Sequence, residues 1–360
     1  MKDQWQTKTL DQISVNLDNK RVPITKDVRA KGEYPYYGAS GVVDYVADYI
    51  FEEETLLISE DGANLLARSS PIAFPASGRY WVNNHAHVLK FKDKTTQRLV
   101  ELYLENIPLD DYVTGAAQPK LNQKALNSIP IPVPPLPEQK RIVAILDEAF
   151  EAIATAKANA EKNLQNSRAI FESHIQSVFT QRGPGWVEKT ISECFRTRSG
   201  DSLPANKMTQ GGTVDVYGGN GIAGKHDKPN LTGEKIIIGR VGAKCGNIRY
   251  VSGDMWITDN ALFISELLVP FDLAFLETLL TQSDLRQTAR QTAQPVISYS
   301  SIKDVVLRFP KTTTEQATIA KGLNALDAEA HRLMSIYERK LAALDDLKKS
   351  LLHQAFTGQL

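Results

Sequence analysis

What most constrains this chain is that its second half repeats its first. Trp5-Gln-Thr-Lys-Thr-Leu10 is echoed by Trp186-Val-Glu-Lys-Thr-Ile191, and Tyr37-Gly38-Ala-Ser-Gly41 by Tyr217-Gly218-Gly-Asn-Gly221. Leu56-Leu-Ile58 answers to Ile236-Ile-Ile238, each followed four residues on by a glycine-alanine pair, Gly62-Ala63 and Gly242-Ala243. The offset is 180 residues for both the tyrosines and the glycines. Further on, Ser77-Gly78 with Trp81, Val82 and Ala86 matches Ser252-Gly253 with Trp256, Ile257 and Ala261, and Gln118-Pro119 matches Gln294-Pro295. The offset there is 175 or 176, a slip that deletions in surface loops allow. A period this long exceeds the roughly 20 to 50 residues of solenoids and implies two copies of a domain. The length of 360 residues agrees, since single cores stop growing at about 250 to 300 residues.

Each copy ends in a different kind of sequence. Pro130-Ile-Pro-Val-Pro-Pro-Leu-Pro137 is proline-rich and is expected to be extended, and Glu138-Gln139 opens a long proline-free segment where a helix should start. Apolar or small residues then recur at Ile142, Leu146, Ala149, Ile153, Ala156, Ala160, Leu164, Ser167, Ile170, His174 and Val178. After Pro310 the pattern returns, with Glu315-Gln316 leading into Ile319, Leu323, Leu326, Ala330, Leu333, Tyr337, Leu341, Leu344, Leu347, Leu351 and Ala355. Steps of three and four sustained for about five heptads mark a coiled-coil seam. A lone seam would face water, so the two helices are expected to pack together, antiparallel, with one globule at each end. About 40 helical residues span roughly 60 Å.

The globules read as mixed α/β (α+β). Short β-rich runs at Val42-Val43, 56–58, 87–91, 236–238 and 261–264 are separated by Gly and Asn turns, and one helix per half is expected, near 97–105 and 273–285. The expected architecture is therefore two duplicated globular domains, 1–134 and 183–310. They are joined by two long helical segments, 135–182 and 311–360, which form an antiparallel coiled coil with pseudo-two-fold symmetry.

Forty-two Lys and Arg balance forty-two Asp and Glu, against a chain that coats nucleic acid by bulk charge. Residues 1–134 carry 15 basic and 17 acidic side chains, and residues 186–310 carry 14 and 13. No apolar run of about 18 residues is present and Met1–Gln6 has no signal-peptide character, so neither a membrane span nor membrane attachment is expected and the compartment is read as cytoplasmic. The two cysteines, Cys194 and Cys245, lack metal-ligand spacing and are read as idle buried thiols.

No catalytic motif is complete in this sequence. Gly219-Asn-Gly-Ile-Ala-Gly224-Lys225 begins like a phosphate-binding loop, but His226 stands where a magnesium-holding Ser or Thr belongs. Glu138-Gln-Lys140 and Glu338-Arg-Lys340 resemble nuclease fragments, yet both lie on the heptad helices. No catalytic residue and no metal ligand is assigned. What remains is a set of polar groups suited to base edges and phosphates, carried on glycine-rich turns at equivalent places in both halves. In the first half these are Tyr37, Ser40, Asn64, Arg68, Arg79, Asn83, Asn84, His85 and Lys120. In the second they are Tyr217, Asn220, Lys225, Arg240, Lys244, Arg249, Thr258, Asp259, Asn260 and Tyr299. Each also has a plainer reading, as a turn former, a core aromatic or a surface charge.

Pro-Pro-Leu-Pro137-Glu-Gln-Lys-Arg-Ile-Val-Ala-Ile-Leu-Asp147 and the closing Leu351-Leu-His-Gln-Ala-Phe-Thr-Gly358 resemble the conserved segments of the specificity (S) subunits of type I restriction-modification enzymes. The resemblance covers the whole chain. The second copy departs from it where Pro310-Lys-Thr-Thr-Thr314 replaces the proline-rich run. The resemblance implies two target recognition domains that read the halves of a bipartite double-stranded DNA site, with the helices setting the gap. It implies two methyltransferase (M) subunits as partners, using S-adenosylmethionine, and restriction (R) subunits that use ATP and magnesium. This chain itself would bind no cofactor and have no catalytic site. A type IIB-like partner, or a coiled-coil scaffold whose globules bind protein, are the alternatives.

Overall fold

The computed structural model describes residues 4–115, 118–180, 185–242, 244–289 and 295–360. Of the repeat, Ala243 and Gln294 lie outside these residues. The chain divides into two compact units, one of residues 1–162 with 337–360 and the other of residues 163–336.

The first unit begins with strand β1 (Gln6–Thr9), helix α1 (Leu10–Ile13), and strands β2 (Ser14–Asn16), β3 (Lys31–Gly38), β4 (Gly41–Val46) and β5 (Thr55–Ser59). Helix α2 (Asn64–Ala67), strands β6 (Ala73–Ala76), β7 (Trp81–Val82) and β8 (Ala86–Phe91), helices α3 (Lys94–Asn106) and α4 (Gln123–Asn127), and strand β9 (Pro130–Val133) follow. The 45-residue helix α5 (Leu136–Thr180) then leads from the first unit into the second. The second unit repeats the order except for α2, which has no helical counterpart among the described residues: β10 (Trp186–Thr190), α6 (Ile191–Cys194), β11 (Phe195–Ser199), β12 (Val214–Gly218), β13 (Gly221–His226), β14 (Lys235–Gly239), β15 (Ile248–Val251), β16 (Met255–Ile257) and β17 (Ala261–Leu267). Helices α7 (Leu273–Gln282) and α8 (Tyr299–Ile302), strand β18 (Val306–Pro310) and the 45-residue helix α9 (Thr313–Thr357) complete it.

Sheet order repeats as closely as element order. The first unit has the sheets β1-β9, β2-β8-β5-β6 and β4-β3-β7, and the second has β10-β18, β11-β17-β14-β15 and β13-β12-β16. The short apolar runs form the central strands because both their faces are covered. Leu56 and Ile58 point into one core and Leu57 into another, and Ile236, Ile238 and Ile237 divide in the same way. Each such side chain, fully buried, contributes roughly 1.5–3 kcal/mol. Helices α3 and α7 start where Asp93 accepts from the Thr95 and Thr96 amides and where Asp272 accepts from the Phe275 amide. Both cysteines are buried, and burial pushes the Cys194 thiol up to about 11. Among the described residues no helix is long and apolar enough to cross a membrane.

The long helices pair antiparallel inside each unit. In the first, Ile142 and Leu146 of α5 share a core with Leu352, Ala355 and Phe356 of α9 and with Leu99 and Leu102 of α3, and Lys157 meets Asp345 at 2.7 Å. In the second, Arg168 Nε lies 3.4 Å from Met334 Sδ, and Phe179 joins the core that holds Ile319 and Ala320. The seam differs from the expected one at its far ends. Ile170, His174 and Leu347 face solvent, whereas Ile175, Leu352 and Phe356 are buried. A straight helix of 3.6 residues per turn drifts about 20° per heptad from a 3.5-residue repeat, and the buried stripe takes the extra step.

The proline-rich run also needs correction, because α5 begins at Leu136 and includes Pro137. Proline fits the first turn, where amides have no helical acceptor. The second long helix likewise starts at Thr313, ahead of Glu315. The glutamines after those glutamates are buried pins. Gln139 donates to the Pro134 carbonyl at 2.8 Å and accepts from Thr96 Oγ1 at 2.8 Å, while Gln316 donates to the Pro310 carbonyl at 2.8 Å and accepts from the Asp272 amide at 2.9 Å.

Candidate nucleic-acid interface

In both units the polar candidates gather where the central strand ends, and the same main-chain bonds hold them there. The Glu60 amide donates to the His85 carbonyl at 2.9 Å, and the Arg240 amide to the Asn260 carbonyl at 3.0 Å. The Leu121 amide donates to Glu60 and the Ile297 amide to Arg240, at 2.7 and 2.8 Å. The Asn83 amide reaches the Tyr37 carbonyl at 3.0 Å, as the Thr258 amide reaches Tyr217 at 2.9 Å. Finally, the Gly62 amide donates to the Pro119 carbonyl at 3.0 Å and the Gly242 amide to the Pro295 carbonyl at 3.2 Å, so the duplicated prolines occupy equivalent places in the frame. Gly62 and Gly242 have φ of 108° and 91°, a region that favours glycine.

On this common frame the side chains differ. In the first unit His85 Nδ1 lies 2.8 Å from Asp61, with Asn84 and Ser40 exposed nearby in the fold. Behind them is a network that sequence reasoning missed. Glu60 accepts from Arg21 at 2.6 Å and pairs with Lys120 at 3.1 Å, while buried His87 sits between Asp18 at 2.6 Å and the Leu121 carbonyl at 2.8 Å. Burial works against ionising Asp18, but the His87 hydrogen bond and charge, the Val88 amide and Arg21 outweigh it and hold the carboxyl below the usual range. Burial opposes Glu60 as well, and Arg21, His87 and Lys120 likewise bring it below its ordinary value.

The second unit has an open cleft of about 350 Å³ at this place, lined by Gly218–Ala223, Val241, Gly242 and Asn260. Asn220, Asp259, Asn260 and Lys244 are exposed around the strand ends. Arg240 is half-buried and, among the described residues, makes only long contacts, 3.3 Å to the Asp259 carbonyl and 3.4 Å to Ser199 Oγ. Arg249 reaches the Asn220 carbonyl at 3.4 Å. The Nε atoms of both arginines, and Thr258 Oγ1, are buried without a hydrogen-bond partner among the described residues.

Several candidates have other work. Arg68 donates to the carbonyls of Leu104 and Ile107 at 3.0 and 2.8 Å and caps the end of α3, and burial lowers its pKa against the pull of Glu105 and Asp110. Asn64 spends its amide on Ser69 and Ser70, and Asn83 accepts from the His85 amide at 2.7 Å. Tyr37 packs on Phe74 and Tyr80, where burial and then Tyr45 raise its pKa, and Tyr217 packs in the matching core. Tyr299 accepts from Arg196 at 2.9 Å. Arg79 pairs with Glu52, before the start of β5 and so at the opposite end of that strand, and Lys225 pairs with Asp215 back along the β12–β13 hairpin. Among the described residues no group of His, Cys, Asp and Glu is arranged to hold a metal ion.

The two units thus share one backbone frame at these strand ends and differ in the polar side chains that it carries. The chain belongs to the family described as type I restriction modification DNA specificity domain, whose model matches it twice, at residues 2–165 and 184–338. It is 41% identical over 140 residues to a putative type I restriction enzyme specificity subunit of Haemophilus influenzae, covering 39% of this chain and 36% of that protein. It is 29% identical over 221 residues to the EcoprrI specificity subunit of Escherichia coli, covering 58% of this chain and 54% of that one. The chain thus spans about a third to a half of the length of these two relatives. A chain from a solved structure of the assembly and conformational transition of the type I R-M system shares the fold, with a TM-score of 0.70 at 15% identity and coverage of 99% and 98%.

Proposed function

We propose that this chain is the DNA sequence-specificity subunit of a type I restriction-modification complex, acting in the cytoplasm on double-stranded DNA with a bipartite target. The observation that carries this reading is the duplicated frame at the ends of β5 and β14, congruent in its main-chain bonds and divergent in its polar side chains. The globule of the first unit reads one half-site and that of the second unit reads the other. The paired helices set the gap and hold two methyltransferase subunits, which supply S-adenosylmethionine and the methyl-transfer chemistry. Restriction subunits, with ATP and magnesium, join through them. The chain itself contributes recognition and no reaction step. With charges near balance in each globule, phosphate neutralisation falls largely to the partners, so DNA binding by the chain alone is weak and gains strength and a steeper salt dependence in the complex.

Exchange of one globule tests this. Replacing residues 1–134 by the same segment of a related subunit, with the long helices kept, changes one half of the motif found by sequencing methylated DNA and leaves the other intact. If both halves change together, the globules are not independent readers.

A further inference from the structure

We propose that Arg240 is a specificity-determining residue that reads a guanine in the half-site of the second globule. This inference rests on the reading of the chain as a DNA specificity subunit. Its starting point is a charge inversion at one position of the shared frame. Glu60 and Arg240 follow equivalent strands and make the same pair of main-chain bonds, to His85 and Leu121 in one unit and to Asn260 and Ile297 in the other.

A contact to the DNA backbone serves every sequence alike, so a duplicated reader has reason to keep it in both copies. A residue that inverts its charge between copies on an unchanged frame belongs to what distinguishes the two readers, and that is the bases they read. The partners of the two side chains agree. The Glu60 carboxylate is closed off by Arg21 at 2.6 Å and Lys120 at 3.1 Å, so it is occupied internally. Arg240 has no carboxylate partner in the described contacts, only a carbonyl and a hydroxyl at 3.3 and 3.4 Å, at or beyond the long edge of ordinary N–H···O bonds, and its buried Nε has no partner among the described residues.

The setting selects a base edge over a phosphate. Arg240 is half-buried just past a strand end, with its guanidinium 3.3 Å from the carbonyl of Asp259, next to Asn260, which lines the cleft. Thr258, 3% exposed, brings a second unpartnered polar atom to the same turn. A planar fork of donors matches guanine O6 and N7, the two adjacent acceptors that guanine presents in the major groove.

The test is selection of bound duplexes from a randomised library by the full chain in complex with its methyltransferase subunits, comparing wild type with Arg240→Lys and Arg240→Ala. The wild type is expected to enrich a bipartite motif with guanine at one position of the second half. Both variants should relax that position by roughly 5- to 150-fold, the scale of one bidentate base contact, and leave the first half unchanged. Arg240→Lys keeps charge and stem but not the fork, and hydrogen exchange at β14 and β17 reports whether either variant is folded. An unchanged motif overturns the proposal. So does uniform weakening across all sequences with the salt slope reduced by about one, the mark of a phosphate contact. A wild-type complex that enriches no bipartite motif removes the functional reading and this proposal together.

Discussion

Glu60 shows how much one side chain can hold together. Its carboxylate joins Arg21, Lys120 and buried His87, and both Glu60 and Asp18 keep pKa values below their ordinary 4.5 and 3.8. A carboxyl depressed on folding stabilises the native state above its unfolded pKa, and that stability is lost as pH falls through the folded value. The first unit should therefore weaken on acidification below about pH 4, whereas the position of Glu60 in the second unit is Arg240 and that of His87 is Leu262. Hydrogen exchange across an acid series is expected to show β5 and β8 opening before β14 and β17, and simultaneous opening would rule the network out as the cause. At neutral pH, Glu60→Ala removes the shorter of the two carboxylate contacts of Arg21 and leaves Asp18 as the one acid that Arg21 and His87 still share. A loss of about 1–3 kcal/mol in urea unfolding is expected.

This residue also marks where sequence reading stopped. Aligning the two copies by their glycines sets Glu60 against Arg240, so the inversion was visible, but nothing local announced that Asp18, Arg21 and His87 would converge on it. From sequence alone Arg68 has the chemistry of a groove or phosphate contact, as an arginine on a turn does. The carbonyls it caps lie 36 and 39 residues away in sequence, a distance only the fold closes.

Among elements, the long helices are the most legible from sequence, since a heptad pattern needs no knowledge of tertiary structure. Their ends are less so. The pattern assigns Ile170 and His174 to the seam, but near its end α5 packs into a globular core, and there Phe179 touches Trp186 and Phe275. That contact, not the heptad, decides which face is buried. Ile175 is 8% exposed and Ile170 59%. Ile175→Ala should cost about 2–4 kcal/mol in thermal or chemical unfolding, and Ile170→Ala less than about 0.5 kcal/mol. Equal losses would restore the simple heptad. The Gln139 and Gln316 pins belong to this scale too. Substitution of either by Leu strands the carbonyl or donor that it satisfied, at about 1–3 kcal/mol, and loosens a helix start rather than the globular core.

At the scale of the molecule, both long helices pass from one compact unit into the other, near residues 162 and 336. One heptad inserted into each, near Ala158 and near Tyr337, preserves the seam and adds roughly 10 Å of helix. That equals about three base pairs, so a helical ruler predicts a gap longer by that amount with both half-site sequences unchanged. Sequencing of methylated DNA from an active variant checks it, and an unaltered gap would show that something else sets the spacing. The repeat made this architecture readable from sequence alone, because duplicated landmarks calibrate one another. It could not reveal which side chains the common frame turns outward, since that depends on bonds between strand ends far apart in sequence.

The strand pairs that open and close each globule have a mechanical consequence. In β1 and β9, Gln6 stands opposite Val133, and in β10 and β18, Trp186 stands opposite Pro310. Chain entry and exit are therefore neighbours at the same end of an antiparallel ladder. Tension applied between them loads the outermost bond pair alone and opens the ladder like a zipper, one rung at a time, instead of shearing all rungs at once. Under load, each globule yields at this clasp at low force, while the central strands, which take no part in the ladder, keep their shape until the clasp has parted.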